Sequence, residues 1–191
     1  MHRLAQNASL AGRTLAALPS SLRSTLGADI TAARDLWRLA GSPTTSTGTG
    51  LRLVPPAPAG ELLGDYRRAE RRFGTQWQVL AAVNLVESAL GRVTNHSSAG
   101  AQGPMQFLPS TWRAYGLGGN IHAPRDAILG AANYLQRSGA PGDDRRALYA
   151  YNHSDLYVAA VLAYAGEMRR DPLGFLTYYT WEVSLPATLG G

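Results

Sequence analysis

The chain has 191 residues, 45% of them hydrophobic, so it can form one cored domain with an appendage but not two full domains or a disordered protein. Its 18 basic and 13 acidic side chains give a formal net charge of +5, which favours an anionic partner such as nucleic acid, a membrane surface or a cell-wall polymer without choosing among them. The absence of cysteine excludes disulfides, thiolate nucleophiles and cysteine metal ligands.

The N-terminal part of the sequence predicts a helical extension followed by a linker. Apolar positions at mixed spacings of three and four over residues 1–40 predict short amphipathic helices, broken at Pro19 and Gly27. Residues 41–60 consist mainly of Gly, Ser, Thr and Pro, which is the composition of a linker. The apolar runs before the linker are shorter than a signal-peptide core or a membrane-spanning helix. No export signal and no transmembrane segment is therefore visible.

The remainder of the sequence predicts a mainly α domain. Apolar residues recur at steps of three and four, and each helical pattern ends near a glycine or a polar turn. Strand-like alternation is confined to TYYTWEV at 177–183. We expect residues 61–183 to fold and act without residues 1–50, with 184–191 as a C-terminal tail. The predicted helices cover approximately 61–73, 75–90, 104–115, 125–138, 143–151 and 155–170.

Glu87 lies in a predicted helix that is apolar nearly all round. In residues 76–90, QWQVLAAVNLVESAL, Asn84, Glu87 and Ser88 stand among aliphatic side chains, so we expect the helix to be buried. Burial raises the pKa of a carboxyl group, and a glutamic acid that stays protonated near neutral pH can act as a general acid. The alternative is that Glu87 reaches solvent near the helix end or pairs with Arg92.

Three short motifs follow one another along the chain. Glu87 and Ser88 are followed about ten positions later by a serine, then by GPMQ at 103–106 and AYN at 150–152. This order and spacing resembles the soluble lytic transglycosylase domain family, which has a lysozyme-like fold. The run AGAQGPMQFLPSTW is also similar to the membrane-bound lytic transglycosylase B group. The resemblance covers approximately residues 61–183.

The resemblance implies an enzyme that cuts the β-1,4 bond between N-acetylmuramic acid and N-acetylglucosamine in peptidoglycan. The product would carry a 1,6-anhydro ring on the muramic acid. Glu87 would be the single general acid and base, because the substrate's acetamido group and hydroxymethyl oxygen replace the second carboxylate and the water that most glycosidases use.

The resemblance also assigns roles to individual residues. The family serine near the acetamido group corresponds to Ser97, with its neighbour Ser98 as the alternative. The phenol of Tyr151 is implied to face the acid and hold its carboxyl, while Asn152 holds sugar. Tyr149, beside that motif, is a candidate for stacking on a sugar ring. The residues implied to bind substrate are Ser97, Ser98, Gly103, Met105, Gln106, Tyr149, Tyr151 and Asn152, with Met105 and Gln106 lining the sugar cleft.

Partners and location follow from the same resemblance. It implies peptidoglycan glycan strands as the partner, no cofactor, no metal, no nucleic acid and a monomer. A location outside the cytoplasm, in the cell wall or secreted, follows from the substrate alone. The sequence departs from the family pattern at Pro104, where leucine is common, and at His153, where many members continue AYN with Ala-Gly.

Other functions stay open at this stage. A muramidase of the same fold would use water and leave a reducing end, and a non-catalytic module would bind peptidoglycan without releasing fragments. A nucleic-acid binder lacks a recognisable base-reading motif. His96, His122 and His153 are too scattered to indicate a metal site. Asp155 fits the first turn of a helix better than the role of a second catalytic acid.

Overall fold

The computed structural model describes residues 2–39, 52–171 and 173–181 of the chain. Within these ranges the secondary structure is helical apart from two isolated antiparallel bridges, which confirms the mainly α fold class. No helix in the same ranges is long and apolar enough to cross a lipid bilayer. The helices are α1 (His2–Gln6), α2 (Ala8–Ala17), α3 (Ser20–Leu39), α4 (Ala59–Phe73), α5 (Trp77–Ser88), α6 (Pro109–Tyr115), α7 (Pro124–Ser138), α8 (Asp144–Tyr151), α9 (Asp155–Arg170) and α10 (Gly174–Tyr179).

The early helices are part of the same packed body as the rest of the chain, because α3 lies along α9. Ile30 and Ala32 of α3 are buried, and Leu36 packs partly buried against the core. The hydroxyl of Tyr178 in α10 donates a hydrogen bond to Oδ1 of the buried Asp29 at 2.7 Å. A helical N-terminal segment is therefore present as predicted, and it covers an apolar face of α9.

Of the two helix breaks predicted in this segment, the one at Pro19 is confirmed and the one at Gly27 is wrong. Pro19 separates α2 from α3, as expected for a residue that restricts the backbone before it. Gly27, in contrast, lies inside α3. A glycine within a helix costs only about 1 kcal/mol relative to alanine, so packing of α3 against α9 can offset this cost.

The C-terminal part of the predicted linker is hydrogen-bonded to the loop that follows Glu87. The Val54 amide donates to the Arg92 carbonyl at 2.9 Å, and the Thr94 amide donates to the Arg52 carbonyl at 3.0 Å. These bonds flank the bridge between residues 53 and 93, and α4 then begins at Ala59. Residues 40–51 of the predicted linker lie outside the described residues.

The central helix of the fold is α5, which packs against α4, α7, α9 and α10. Its side chains from Val79 to Val83 are fully buried, as its nearly continuous apolar sequence predicts. The buried Asn84 is satisfied on both sides: it accepts from the Tyr66 hydroxyl at 2.6 Å, and its Nδ2 donates to the Pro104 carbonyl at 2.7 Å. This buried amide joins α4, α5 and the loop that follows α5.

The predicted helix at 104–115 begins later than expected. Backbone hydrogen bonds of 2.9 Å in both directions between Gln102 and Phe107 close a tight turn, which occupies the residues between them. Helix α6 therefore starts at Pro109, where proline sits in the first turn and its missing N–H has no intrahelical partner to lose.

The predicted strand at 177–183 is wrong over its described part. Residues 174–179 form α10, in which Phe175 and Tyr178 turn the same face into the core. Aromatic residues three apart fit one side of a helix as well as they fit a strand, so composition misleads here. Residues 182 and 183 lie outside the described part of the chain, as does the predicted tail at 184–191.

Candidate active site

Glu87 lies in the last turn of α5, where the chain leaves the helix abruptly. Ala89 and Leu90 both adopt the left-handed backbone conformation, with φ of 51° and 63°, and so end the helix. The hydroxyl of Ser88 donates to the Pro104 carbonyl at 2.6 Å. Ser88 thus ties the facing loop to the helix end, while its neighbour Glu87 stays partly exposed.

The pKa of the Glu87 carboxyl group is raised far enough for the group to hold a proton near neutral pH. Burial raises its pKa from 4.5 to about 7, against the opposing effect of the Tyr157 hydroxyl, which donates to Oε1 at 2.7 Å. The sequence alternative of a pair with Arg92 is wrong. The Arg92 guanidinium donates instead to the carbonyls of Ala89 and Tyr179 and lies over the Tyr179 ring at 5.2 Å.

The phenol that contacts the acid differs from the one the resemblance implies. The Tyr151 hydroxyl donates to the Met105 carbonyl at 2.7 Å, not to the carboxyl of Glu87. Tyr157 takes that place, and the Tyr151 and Tyr157 rings stack with centroids 6.5 Å apart. Burial, and after it the charge of Glu87, raise the pKa of Tyr151 well above its usual range, so Tyr151 does lie beside the acid.

The backbone of the loop at 103–106 adopts conformations that are uncommon for residues other than glycine. Gly103 has φ of +73°, and a Cβ atom there would overlap the carbonyl oxygen of Ile121. Gln106 also has positive φ, 47°, and its Nε2 donates to the carbonyls of Gly103 at 3.0 Å and Asn95 at 3.3 Å. Met105 is fully buried, so its side chain belongs to the core and does not line a cleft as implied.

A pocket of about 210 Å³ is lined in part by Tyr151, whose ring stacks on that of Tyr157, the hydrogen-bond donor to Glu87. Glu87 itself is not among the lining residues. The pocket is mostly apolar and aromatic, with a few amide, hydroxyl and imidazole groups. This mixture suits a sugar, whose faces are apolar and whose edges carry hydroxyls. Its lining residues are Gln106, Phe107, Leu108, Thr111, Tyr134, Ala150, Tyr151 and His153.

Comparison with known protein families adds one decisive match. The family described as the transglycosylase SLT domain matches residues 66–172, more than half of the chain. The chain belongs to the transglycosylase SLT domain family. No curated protein matches the chain, and no solved structure matches it. Membership supports a lysozyme-like domain and lytic transglycosylase action on peptidoglycan in general.

The SLT domain brings some of the predicted site residues to the pocket and leaves others apart. Gln106 and Tyr151 line it, and Asn152 lies at the end of α8 next to them, partly exposed. Ser97 is exposed and closes its own loop, where its hydroxyl accepts from the Ala101 amide at 3.0 Å. Ser98 is exposed in the same loop. Neither serine has a contact with Glu87 in the described residues.

At the pocket edge of the SLT domain, two aromatic side chains meet. Tyr149 is 45% exposed and contacts the ring of His153 edge to face at 5.5 Å. The exposure of Tyr149 is compatible with stacking on a sugar, which stays a prediction. His153 occupies the place where the sequence departs from the family pattern.

Tyr157 is the site residue that sequence reasoning missed. It lies in the first turn of α9 within a buried stripe that continues through Val158 and Val161, so its pattern indicates core packing. The available signal was chemical, because a phenol that is buried needs a hydrogen-bond partner. In this SLT domain that partner is Glu87.

Proposed function

We propose that the protein is a peptidoglycan lytic transglycosylase that cuts the β-1,4 bond between N-acetylmuramic acid and N-acetylglucosamine and forms the 1,6-anhydro product. One observation carries the proposal. Glu87 combines a pKa raised to about 7 with a hydrogen bond from Tyr157 and a neighbouring pocket of suitable chemistry. The family match supplies the substrate class.

The reaction needs one group that gives a proton and later takes one back. Protonated Glu87 donates its proton to the bridging oxygen as that oxygen leaves C1 of the muramic acid. The acetamido group of the same sugar stabilises the positive charge that develops at C1. The Glu87 carboxylate then accepts the proton of the C6 hydroxyl while its oxygen bonds to C1. Glu87 thus ends the reaction protonated, as it began, and no water is consumed.

The surroundings of Glu87 support a mechanism with a single acid. Asp155, the other acidic side chain near the motif residues, is 83% exposed and pairs with Arg145 at 3.8 Å. In the described part of the chain, no other carboxylate is a cause of the raised pKa of Glu87. A site of this kind favours assistance from the substrate over the two-carboxylate mechanism of most glycosidases.

Glu87→Gln tests the proposal most directly, because it keeps the side-chain shape and removes the proton. We expect release of fragments from purified sacculi to fall by at least about 100-fold, since general acid catalysis contributes on that order. Glu61→Gln is the matched control, because Glu61 is an exposed acid in the first turn of α4. It should release fragments at the wild-type rate. Lysis by Glu87→Gln near that rate would contradict the assignment.

Mass spectrometry of the fragments separates the proposal from its alternatives. Anhydro ends, lighter by one water than reducing ends, are the expected product. Reducing ends would identify a muramidase, and binding to sacculi without any release would identify a non-catalytic module. Because peptidoglycan lies outside the cytoplasmic membrane, the proposal also places the protein in an extracytoplasmic location.

A further inference from the structure

A short segment that precedes α4 pairs with the loop that follows Glu87. We name residues 52–54 the arm. Its hydrogen bonds to Arg92 and Thr94, 2.9 and 3.0 Å long, are those of an antiparallel pair. The arm lies outside the residues that match the SLT family, which begin at 66. It nevertheless contacts a loop that leads directly into the site.

Asn95 connects the arm to the pocket. Its Oδ1 accepts from the arm's Arg52 amide at 2.7 Å, and its backbone carbonyl accepts from Nε2 of Gln106 at 3.3 Å. The first bond fixes the side chain of Asn95 to the arm, and the second fixes the side chain of Gln106 to the backbone of Asn95. One residue therefore links two segments that have no other described hydrogen bond between them.

The contacts around Gln106 determine which way its amide points. Its Nε2 faces two carbonyl oxygens, those of Asn95 and Gly103, and only the NH₂ end of an amide can donate to them. The Oε1 atom must therefore point away from both carbonyls. Gln106 lines the pocket, and Oε1 accepts no described hydrogen bond, so Oε1 is the end of the amide that is left to accept from a sugar hydroxyl or an acetamido N–H.

We propose that Asn95 is a positioning residue for substrate binding, which uses its bond to the arm to hold the Gln106 amide in the orientation that accepts from substrate. The arm is then a working part of the active site. This inference rests on the proposed function and deepens it, because it names what orients a substrate-binding side chain. Loss of the Asn95 side chain would leave the two backbone bonds of the arm in place but loosen the loop at residue 95, so that the Asn95 carbonyl no longer holds the Gln106 amide in one orientation.

Binding of an N-acetylglucosamine tetramer to the full chain, measured by calorimetry, is the direct test. Asn95→Ala should raise the dissociation constant by about five-fold, which corresponds to one net hydrogen bond. Asn95→Asp keeps an acceptor oxygen for the Arg52 amide and should restore most of the affinity. Thr94→Val is the matched control. Its hydroxyl donates to the arm's carbonyl at 3.2 Å, but its backbone amide already does so, and affinity should stay within about two-fold.

A double-mutant cycle distinguishes positioning from a general loss of structure. Asn95→Ala acts through Gln106, so it should change affinity little when it is added to Gln106→Ala. Additive losses, or wild-type affinity in Asn95→Ala, would overturn the inference, and so would a failure of the wild-type chain to bind the tetramer. On sacculi, Asn95→Ala should raise KM and leave kcat nearly unchanged. Wild-type binding without release of fragments would instead count against the proposed function alone.

Discussion

Glu87 keeps a proton near neutral pH because burial at the end of α5 outweighs the hydrogen bond from Tyr157. Burial disfavours the carboxylate, and the phenolic O–H favours it, so the two effects oppose each other. With a pKa of about 7, both forms are populated at physiological pH. A group with this pKa can act first as an acid and then as a base, which the proposed mechanism requires.

Tyr157→Phe removes the contact that favours the carboxylate. The pKa of Glu87 should rise above its value of about 7, and the alkaline decline of kcat/KM, which marks loss of the acid form, should move to higher pH. Initial rates of sacculus lysis across the pH range would measure it. Tyr151→Phe is the control, since that hydroxyl bonds to the Met105 carbonyl. Whatever its rate, its alkaline decline should stay in place, and an equal shift in both variants would contradict the assignment.

The sequence was sufficient to predict the burial and raised pKa of Glu87 but not its hydrogen-bond partner. Glu87 stands out because a carboxylate in an apolar helix is costly unless it is used, and this can be recognised along one element. The choice of Tyr157 over Tyr151 depends on how α9 packs against α5 and α8 packs against α9, which no local pattern encodes. The same reason explains Met105, whose motif position indicates a cleft while the fold buries it.

At the scale of elements, the site is the end of α5 held against one loop. Asn84 and Ser88 both donate to the Pro104 carbonyl, so one backbone oxygen receives the side chains of two successive turns. The loop can approach this closely because Gly103 has no side chain and sits against Ile121. The position of Gln106 therefore depends on a glycine three residues before it.

Gly103→Ala should displace the loop and lower both activity and thermal stability. The added methyl group would overlap the Ile121 carbonyl, in addition to the strain of about 1–3 kcal/mol for a non-glycine residue with positive φ. Gly100→Ala is the matched control, because Gly100 has φ of +82° but open space around it. Only the strain should then appear. Tm and lysis rates would measure both variants, and equal losses would show that the overlap with Ile121 has no effect.

The helices with strong periodicity could be predicted, whereas the segments between them could not. α4, α7, α8 and α9 lie close to the predicted ranges because each has a buried apolar side, and α5 does so because it is apolar nearly all round. The start of α6 and the helical state of α10 depend on a turn closed by Gln102 and Phe107 and on the burial of Phe175. The first is a local turn that no periodic pattern marks, and the second is a tertiary contact that overrides local propensity.

At the scale of the whole molecule, helices from both ends of the chain cover α9. The expectation that residues 61–183 fold without residues 1–50 stays a prediction. Ala32 and Leu36 of α3 pack into the core of the domain, which favours mutual stabilisation of α3 and the domain. Composition predicted the extension correctly as helical, but an amphipathic pattern does not reveal which surface its apolar side covers.

Leu36→Ala should therefore lower the Tm of the full chain in a single cooperative transition. Truncation of a buried leucine costs about 2–5 kcal/mol, and Leu36 is partly buried against the core, so we expect the lower end of this range, a decrease of roughly 4 °C for a chain of this size. Leu22→Ala on the same helix is the control, since Leu22 is 53% exposed and should change Tm little. Unchanged unfolding of Leu36→Ala by circular dichroism would mean that α3 is energetically separate from the domain.

The hydrogen bond between Asp29 and Tyr178 joins two residues that both lie outside the stretch 66–172 by which the chain is related to its family. A chimera built by transplanting only that stretch would leave both partners behind and expose the apolar side of α9 to water. A transplanted fragment should therefore include α3 and α10, because the stretch that matches the family is shorter than the set of helices that pack together in this protein.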